Sequence, residues 1–175
     1  MEKENKTVSI FLAGPPCAGK SSTGQVLASM LGLPFYDLDK LIEKIASLSI
    51  PEIFNKLGEQ EFRKLESDAL LSLLKTRKTM ILALGGGCLL KERNLIEIKK
   101  KGIIVTLTAS DEILLERCKL QIGYRPLITT DKAFIELLKR RKEHYNSLPN
   151  NIDTSYTSPE QTALKITNLG SGSNT

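Results

Sequence analysis

The chain has 175 residues, of which 41% are hydrophobic, and its formal net charge is +5. This length fits one domain with its own core, and we expect that domain to span residues 1–169, followed by a disordered Gly/Ser/Asn-rich tail at 170–175. No apolar run reaches membrane-spanning length and the first residues do not resemble a targeting signal, so we expect a cytoplasmic protein. The positive charge comes with only 5% aromatic residues and no Trp, which argues against nucleic-acid binding.

The cysteines and the single histidine argue against several chemistries. Cys17, Cys88 and Cys118 are widely spaced and form no CxxC pair, which disfavours a disulfide framework and a zinc site. His144 is the one histidine of the chain, so a mechanism based on a Ser-His-Asp or Cys-His arrangement has little support. We expect it to be a solvated residue on a helix.

Short apolar segments alternate with segments of helical periodicity along the chain. The predicted strands are Val8–Ala13, Pro34–Leu38, Met80–Leu84, Ile103–Leu107 and Asn151–Thr154. The predicted helices are Lys20–Leu31, Lys40–Ser47, Glu59–Lys75, Glu92–Lys101, Asp111–Lys119, Asp131–Ser147 and Pro159–Asn168. This alternation predicts an α/β fold in which helices flank a central parallel five-stranded sheet. Ligands of such sheets bind beyond the carboxyl ends of the strands.

The first strand ends in a phosphate-binding motif. The pattern GxxxxGK[ST] is formed by Gly14, Pro15, Pro16, Cys17, Ala18, Gly19, Lys20 and Ser21, with Ser22 following. A compact loop that leads into a helix N-terminus directs several N–H donors at a polyphosphate. Lys20 is expected to reach the β- and γ-phosphates, and the Ser21 hydroxyl to help hold Mg²⁺. The motif predicts a three-layer P-loop NTPase fold that binds ATP.

Two acidic residues follow the second strand. Asp37 and Asp39 flank Leu38 and can both face the mouth of the site. A phosphoryl-transfer enzyme needs one carboxylate near Mg²⁺ and another that orients or deprotonates the attacking hydroxyl. A DxD pattern at a strand end is, however, most often a solvated turn or a helix N-cap, so a purely structural role for the two aspartates stays open.

Glycines and arginines complete the candidate site. Gly85, Gly86 and Gly87 let the backbone approach a ligand, although in isolation they indicate a simple turn. Arg63 precedes Glu66 by three residues, so Glu66 can hold its guanidinium in place. Arg125 lies in a segment without helical period, and a mobile lid at about residues 119–130 would deliver it to the transferring phosphate.

From about Val8 to Ile166 the chain resembles the shikimate kinases, small P-loop kinases of the nucleoside-monophosphate-kinase-like fold. The matching segments are Gly14–Ser22, Leu31–Asp39, Ile53–Glu66, Leu84–Gly87, Arg125–Leu127 and Arg141–Tyr145. The resemblance implies ATP- and Mg²⁺-dependent phosphorylation of the 3-hydroxyl of shikimate, in the pathway to chorismate and the aromatic amino acids. It also implies a monomer. The partners that we expect in the cytoplasm are the small molecules shikimate and ATP, with neither nucleic acid nor membrane among them.

The resemblance assigns a role to each candidate residue. Asp39 grips the substrate hydroxyls and acts as the base or orienting group, and Asp37 supports Mg²⁺ with Ser21. The substrate carboxylate is bound by Arg63 and Arg141, with help from backbone N–H groups at Gly86 and Gly87. The full substrate set is Asp39, Phe62, Arg63, Gly85, Gly86, Gly87 and Arg141. The ATP set comprises Gly14 to Ser22, Arg117 near the adenine and Arg125 from the lid, and the catalytic set is Lys20, Asp39 and Arg125.

Two residues depart from the family pattern, and two other functions remain open. Cys17 and Ser47 both stand where the family usually has glycine, and we expect Cys17 to be unusually reactive because it lies near a helix N-terminus. A P-loop kinase of another small hydroxy acid, such as gluconate, would also use two arginines. A non-catalytic nucleotide-binding regulator on the same fold would not need to retain Lys20 or Asp39.

Overall fold

A computed structural model describes residues 8–76, 78–120 and 130–171. Most of the predicted lid, including Arg125, and the last four residues of the predicted tail lie outside the described residues. Among the helices that are described, none is both long and apolar enough to cross a membrane.

The centre of the molecule is a sheet of five parallel strands. In chain order the strands are β1 (Ser9–Ala13), β2 (Phe35–Asp37), β3 (Ile81–Ala83), β4 (Gly102–Thr108) and β5 (Asn151–Asp153). Their order across the sheet is β2-β3-β1-β4-β5, and every neighbouring pair is parallel. All five carboxyl ends therefore meet at one edge, which also carries the phosphate motif, the acidic residues and the glycines. The predicted five-stranded parallel sheet is confirmed.

Seven helices connect or follow the strands in the described part of the chain. They are α1 (Lys20–Leu31), α2 (Leu38–Ala46), α3 (Ile50–Leu74), α4 (Glu92–Lys99), α5 (Asp111–Leu120), α6 (Asp131–Ser147) and α7 (Pro159–Ser171). A short 3₁₀ turn, Cys88–Leu90, follows the triple glycine.

The core lies on both faces of the sheet, as expected for strands covered by helices on each side. Phe11 points into a cluster with residues of α2, α3 and α4, whereas its neighbours Ile10 and Leu12 point into a cluster with residues of α1, α5, α6 and α7. This alternation follows from the two-residue period of a strand. The two clusters hold the sheet rigidly between helices, so the loops at its carboxyl edge have a fixed base.

The structure corrects the predicted start of α3. The helix begins at Ile50 rather than at Glu59, because Ser49 caps it and forms a reciprocal capping box with Glu52. Gly58, at φ 82° and ψ 170°, breaks the helix into two parts, and the second part begins where the sequence predicted the helix. The periodicity over Glu59–Lys75 thus identified the second part and missed the first.

The start of α2 and the end of α7 also differ from the predictions. Helix α2 starts at Leu38 because Asp37 is its N-cap. Helix α7 extends to Ser171, so residues 170–171 of the predicted disordered tail are helical.

Candidate active site

The loop after β1 has the backbone geometry of an anion cradle. Gly14 has a φ of 127°, and a side chain there would collide with the Leu107 carbonyl oxygen of β4. Gly19, with a φ of 89°, is the N-cap of α1 and leaves the first turn without a side-chain cap or an acidic residue. The helix N-terminus can therefore present its N–H groups and dipole to an anion. Lys20 donates from Nζ to the carbonyls of Gly14 (2.9 Å) and Pro15 (2.7 Å) and lies across this loop.

Cys17 and Ser47 both adopt left-handed backbone conformations. Their φ angles are 63° and 52°, and Ser47 is the C-cap of α2. Left-handed geometry is strained for residues with a Cβ and favours glycine. Glycine, which the resemblance leads us to expect at both positions, would adopt these φ angles without strain. Cys17 is only 7% exposed, and its heightened reactivity stays a prediction.

Asp37 connects the phosphate loop to α2. Its Oδ2 accepts a hydrogen bond of 2.5 Å from the Ser21 hydroxyl, while Oδ1 caps α2 by accepting from the N–H groups of Asp39 (3.1 Å) and Lys40 (3.3 Å). The helix-cap interpretation of the DxD pattern is therefore correct for Asp37, and the carboxylate also reaches the predicted metal partner. A serine hydroxyl beside a carboxylate is an oxygen donor set that suits Mg²⁺, which usually takes few protein ligands besides phosphate and water. Within the described ranges no three His, Cys, Asp or Glu side chains are grouped to hold a metal by themselves.

The backbone at Gly85 is approached by two carboxylates. A Cβ placed there would be 2.5 Å from Glu66 Oε1 and 3.0 Å from Asp39 Oδ1, so a larger residue would push these carboxylates away from the backbone. Glu66 is 1% exposed, and its Oε1 has no hydrogen-bond partner among the described residues. Burial raises the pKa of Glu66, and the charge of Asp39 adds to this, while Arg63 and Arg141 oppose it.

Arg63 is held between two glutamates above Gly87. Its Nη1 donates to Glu66 Oε2 at 2.9 Å and its Nη2 to Glu59 Oε1 at 3.3 Å. An added Cβ at Gly87 would come within 2.7–2.9 Å of the guanidinium. Burial by itself lowers the pKa of Arg63, but the pairs with Glu66 and Glu59 raise it above its ordinary value. The prediction that Glu66 holds Arg63 is confirmed.

Phe62 lies underneath this arginine. It is buried in the core, and its ring centroid is 4.7 Å from that of Phe54. The Cζ atom of Arg63 is 5.1 Å from the Phe62 ring centroid. This geometry gives Phe62 the role of a support for the guanidinium. Direct contact of Phe62 with a substrate stays a prediction.

Helix α6 is tied to the middle glycine. The Tyr145 hydroxyl donates a 2.7 Å hydrogen bond to the Gly86 carbonyl. Arg141 lies one turn earlier on the same face of α6, and its charge lowers the pKa of Glu66, which places it on the Arg63 side of the site. His144 is on the helix as predicted and is half-buried, with its Nε2 buried, so the expectation that it is solvated holds only for part of the side chain.

Two backbone donors of the glycine segment remain available for a ligand. Within the part of the chain that is described, the N–H groups of Gly86 and Gly87 donate no hydrogen bond, whereas those of Cys88 and Leu90 bond back to Gly85 and Gly87. An anion between Arg63 and this backbone would therefore meet charge and N–H donors together.

A separate cleft of about 270 Å³ borders the outer side of the phosphate loop. Its walls include Cys17, Ala18, Gly19, Ser22, Thr23, Arg117, Leu120, Thr154, Thr157, Pro159 and Thr162. Arg117 is fixed by bonds to Thr154 Oγ1 (3.1 Å) and to the Thr154 carbonyl (2.6 Å). The loop between β5 and α7 was not among the predicted site residues. That loop was detectable because it follows the carboxyl end of a parallel strand, where ligand-binding loops collect.

Comparison with known proteins gives this arrangement a family. A family model described as shikimate kinase matches residues 16–169. The chain belongs to the shikimate kinase family. A shikimate kinase of Thermodesulfovibrio yellowstonii is 38% identical over 90% of this chain and 91% of its own length.

Solved structures agree with this family assignment. A shikimate kinase from Acinetobacter baumannii, in complex with shikimate, superposes with a TM-score of 0.88 at 35% identity and covers 94% of this chain and 93% of its own. A shikimate kinase from Aquifex aeolicus gives a TM-score of 0.78 at 34% identity, with 94% and 96% covered. Of the functions that the sequence left open, the shikimate kinase interpretation is therefore the one supported.

Proposed function

We propose that this shikimate kinase family member transfers the γ-phosphoryl group of ATP to the 3-hydroxyl of shikimate, giving shikimate 3-phosphate and ADP. The observation that carries the proposal is the position of the three glycines. Gly85 adjoins the carboxylates of Asp39 and Glu66, and Gly87 adjoins the guanidinium of Arg63. Gly86 adjoins the phosphate loop, since a Cβ added there would lie 3.2 Å from Pro16 Cδ. The glycine backbone is thus the point where a phosphate cradle, a carboxylate base and a carboxylate-binding arginine meet.

ATP binds with its phosphates in the loop of residues 14–22 and its base in the cleft beside Arg117. The N–H groups of the loop and of the α1 N-terminus hold the β- and γ-phosphates, and Lys20 turns from the loop carbonyls to the phosphate oxygens. This turn exchanges two neutral acceptors for charged ones, so it strengthens the hydrogen bonds of Lys20.

Ser21 and Asp37 are the residues that would hold Mg²⁺. When bound, Mg²⁺ neutralises charge on the phosphate oxygens and fixes their geometry. The 2.5 Å contact between the serine hydroxyl and the carboxylate supports this assignment, since both oxygens already lie together at the start of α1.

The acceptor lies with its carboxylate toward Arg63, Arg141 and the N–H groups of Gly86 and Gly87. A planar guanidinium matches a carboxylate with two parallel hydrogen bonds, which fixes the ring orientation. The ring hydroxyls then face Asp39, whose carboxylate orients the 3-hydroxyl and takes its proton as the oxygen attacks phosphorus. Arg125 would approach from the lid and neutralise charge on the transferring phosphoryl group. All of these residues belong to one domain, which spans residues 1–169.

Release of ADP from the pure protein, measured with shikimate, gluconate or no acceptor, tests the proposal. We expect turnover to depend on shikimate and on Mg²⁺, and the absence of shikimate-dependent turnover would refute the proposed function. Asp39→Asn keeps the shape of the side chain and removes the base, so it should abolish turnover while ATP binding stays nearly intact.

Arg63→Ala tests the acceptor site separately. Loss of a desolvated charge partner typically costs about 2–5 kcal/mol, which predicts a large rise in the acceptor KM and little change in the KM for ATP. A normal acceptor KM in this variant would show that Arg63 is not the carboxylate ligand.

A further inference from the structure

The two glutamates that flank Arg63 are held very differently. The side chain of Glu66 is 2% exposed and bonds Nη1 at 2.9 Å, whereas that of Glu59 is 53% exposed and bonds Nη2 at the longer distance of 3.3 Å. Both pairs lie within one helix, at spacings of three and four residues. Glu66 is therefore a fixed part of the site, and Glu59 has room to leave the arginine.

The pair of Glu59 and Arg63 lies in the wall of an open cavity of about 500 Å³. That cavity is lined by Glu59, Gln60, Arg63, Glu66, Gly87, Leu90 and Lys91. A ligand that reaches Arg63 and the Gly87 backbone from this side meets Glu59 at the same guanidinium. The Glu59 carboxylate and an incoming carboxylate would thus compete for the Nη2 donors.

The balance of charge is also less favourable for an anionic ligand while Glu59 stays in place. Arg63, Arg141 and Lys91, which lines the same cavity, supply three positive charges, and Asp39, Glu59 and Glu66 supply up to three negative ones. An acceptor carboxylate would add a further negative charge to a region that is partly shielded from water. Movement of Glu59 into solvent removes one like charge from the region and releases the Nη2 donor that Glu59 occupies.

We propose that Glu59 is a displaceable counter-ion of Arg63, which the acceptor carboxylate replaces when it binds. The proposal rests on the acceptor role of Arg63 given above. In the empty enzyme Glu59 pairs with the charge of Arg63 and accepts a hydrogen bond from it. Glu59 thereby determines specificity for acceptors that carry a carboxylate. A carboxylate can replace it, because a bidentate charged contact is stronger than one exposed bond of 3.3 Å. A neutral polyol has no charge with which to displace it.

The test is the variant Glu59→Gln, studied by calorimetric binding of shikimate to the nucleotide-free protein and by steady-state kinetics. Removal of the competing charge should lower the shikimate Kd and KM by about two- to fivefold, the range that corresponds to an exposed ion pair. The kcat and the KM for ATP should not change. The methyl ester of shikimate, which has no carboxylate charge, should bind both proteins equally.

Glu61→Gln is the matched control. Glu61 lies on the same helix and pairs with Lys64 at 3.4 Å rather than with Arg63. Its variant makes the same change in net charge as Glu59→Gln without altering the Arg63 pair. Its shikimate affinity should equal that of the wild type. An unchanged affinity in Glu59→Gln, or an equal gain in both variants, would overturn the proposal. A weaker affinity would also overturn it and would mean that Glu59 orients Arg63 for binding.

The outcomes separate this proposal from the proposed function. Wild-type protein that shows no shikimate-dependent turnover refutes the function itself. Wild-type turnover together with an unchanged or weakened shikimate affinity in Glu59→Gln refutes the role of Glu59 and leaves the function intact.

Discussion

Gly87→Ala places a single methyl group against the guanidinium of Arg63. The added Cβ would lie 2.7 Å from Nη2, 2.8 Å from Nη1 and 2.9 Å from Cζ. Gly87 has a φ of −109°, which alanine can adopt, so the substitution causes little backbone strain. The perturbation therefore acts on the position of Arg63 and leaves the surrounding fold intact.

The structure gives the size of this displacement. Ordinary van der Waals contact begins at 3.4 Å, so the guanidinium must retreat by about 0.7 Å from its 2.7 Å approach. This shift weakens the 2.9 Å bond to Glu66 and moves Arg63 away from the N–H groups of the glycine segment. Misplacement of a binding group on the 1 Å scale can cost about 100-fold in rate. We expect a rise of about 10- to 100-fold in the acceptor KM, or about 1.4–2.8 kcal/mol.

Steady-state kinetics and a double-mutant cycle check this prediction. The KM for ATP should change by less than about twofold, and the free energy of unfolding by less than about 1 kcal/mol, because the collision is with the end of a flexible side chain. In an Arg63→Ala background the same Gly87→Ala change should have almost no effect on acceptor binding. A normal acceptor KM in the single variant, or additive effects in the double variant, would refute the steric reasoning.

Three further predictions concern stability. Ser47→Gly should raise the free energy of unfolding by about 0.5–1 kcal/mol, because this exposed cap has a φ of 52°. Gly58→Ala should lower it by about 1–3 kcal/mol although a Cβ there would meet no atom within 4 Å, since the cost lies in the backbone conformation at φ 82°. Glu66→Gln should change the pH dependence of the free energy of unfolding. Because the folded-state pKa of Glu66 is raised, wild-type stability relative to this variant should be greatest below the unfolded pKa, about 4.3, and should fall as the pH rises through the raised value.

Urea unfolding measures all three, and each has a distinct contrary outcome. Gly32→Ser is the control for Ser47→Gly, since Gly32 caps α1 at a φ of 63° with open space around it, and it should destabilise by a similar amount. A loss of stability in Ser47→Gly would show that the serine makes a compensating contact. No loss in Gly58→Ala would mean that the two parts of α3 can join into one continuous helix. Parallel pH profiles of Glu66→Gln and wild type would contradict a raised pKa.

The sequence by itself determined the phosphate loop, the five strands and the positions of most helices. These features depend on local patterns: a GxxxxGKS motif, apolar runs bounded by glycine, and helical periodicity. The same is true of the pairing of Arg63 with Glu66, because residues three apart on a helix lie side by side. The start of α3 was missed because a capping box at Ser49 outweighed weak periodicity before Gly58.

Tertiary structure decided how the parts of the site meet. Tyr145 reaches the Gly86 carbonyl across 59 positions of the chain, and Thr154 reaches Ala18 across 136, and no local pattern encodes such pairs. Burial of Glu66 beside Asp39, which raises the Glu66 pKa, likewise depends on the packing of two helices against one strand end. Local sequence fixes the conformation of short segments, but the distances between those segments depend on which faces the core buries together. The phosphate loop could therefore be recognised in the sequence, whereas the acceptor site around the three glycines required the fold.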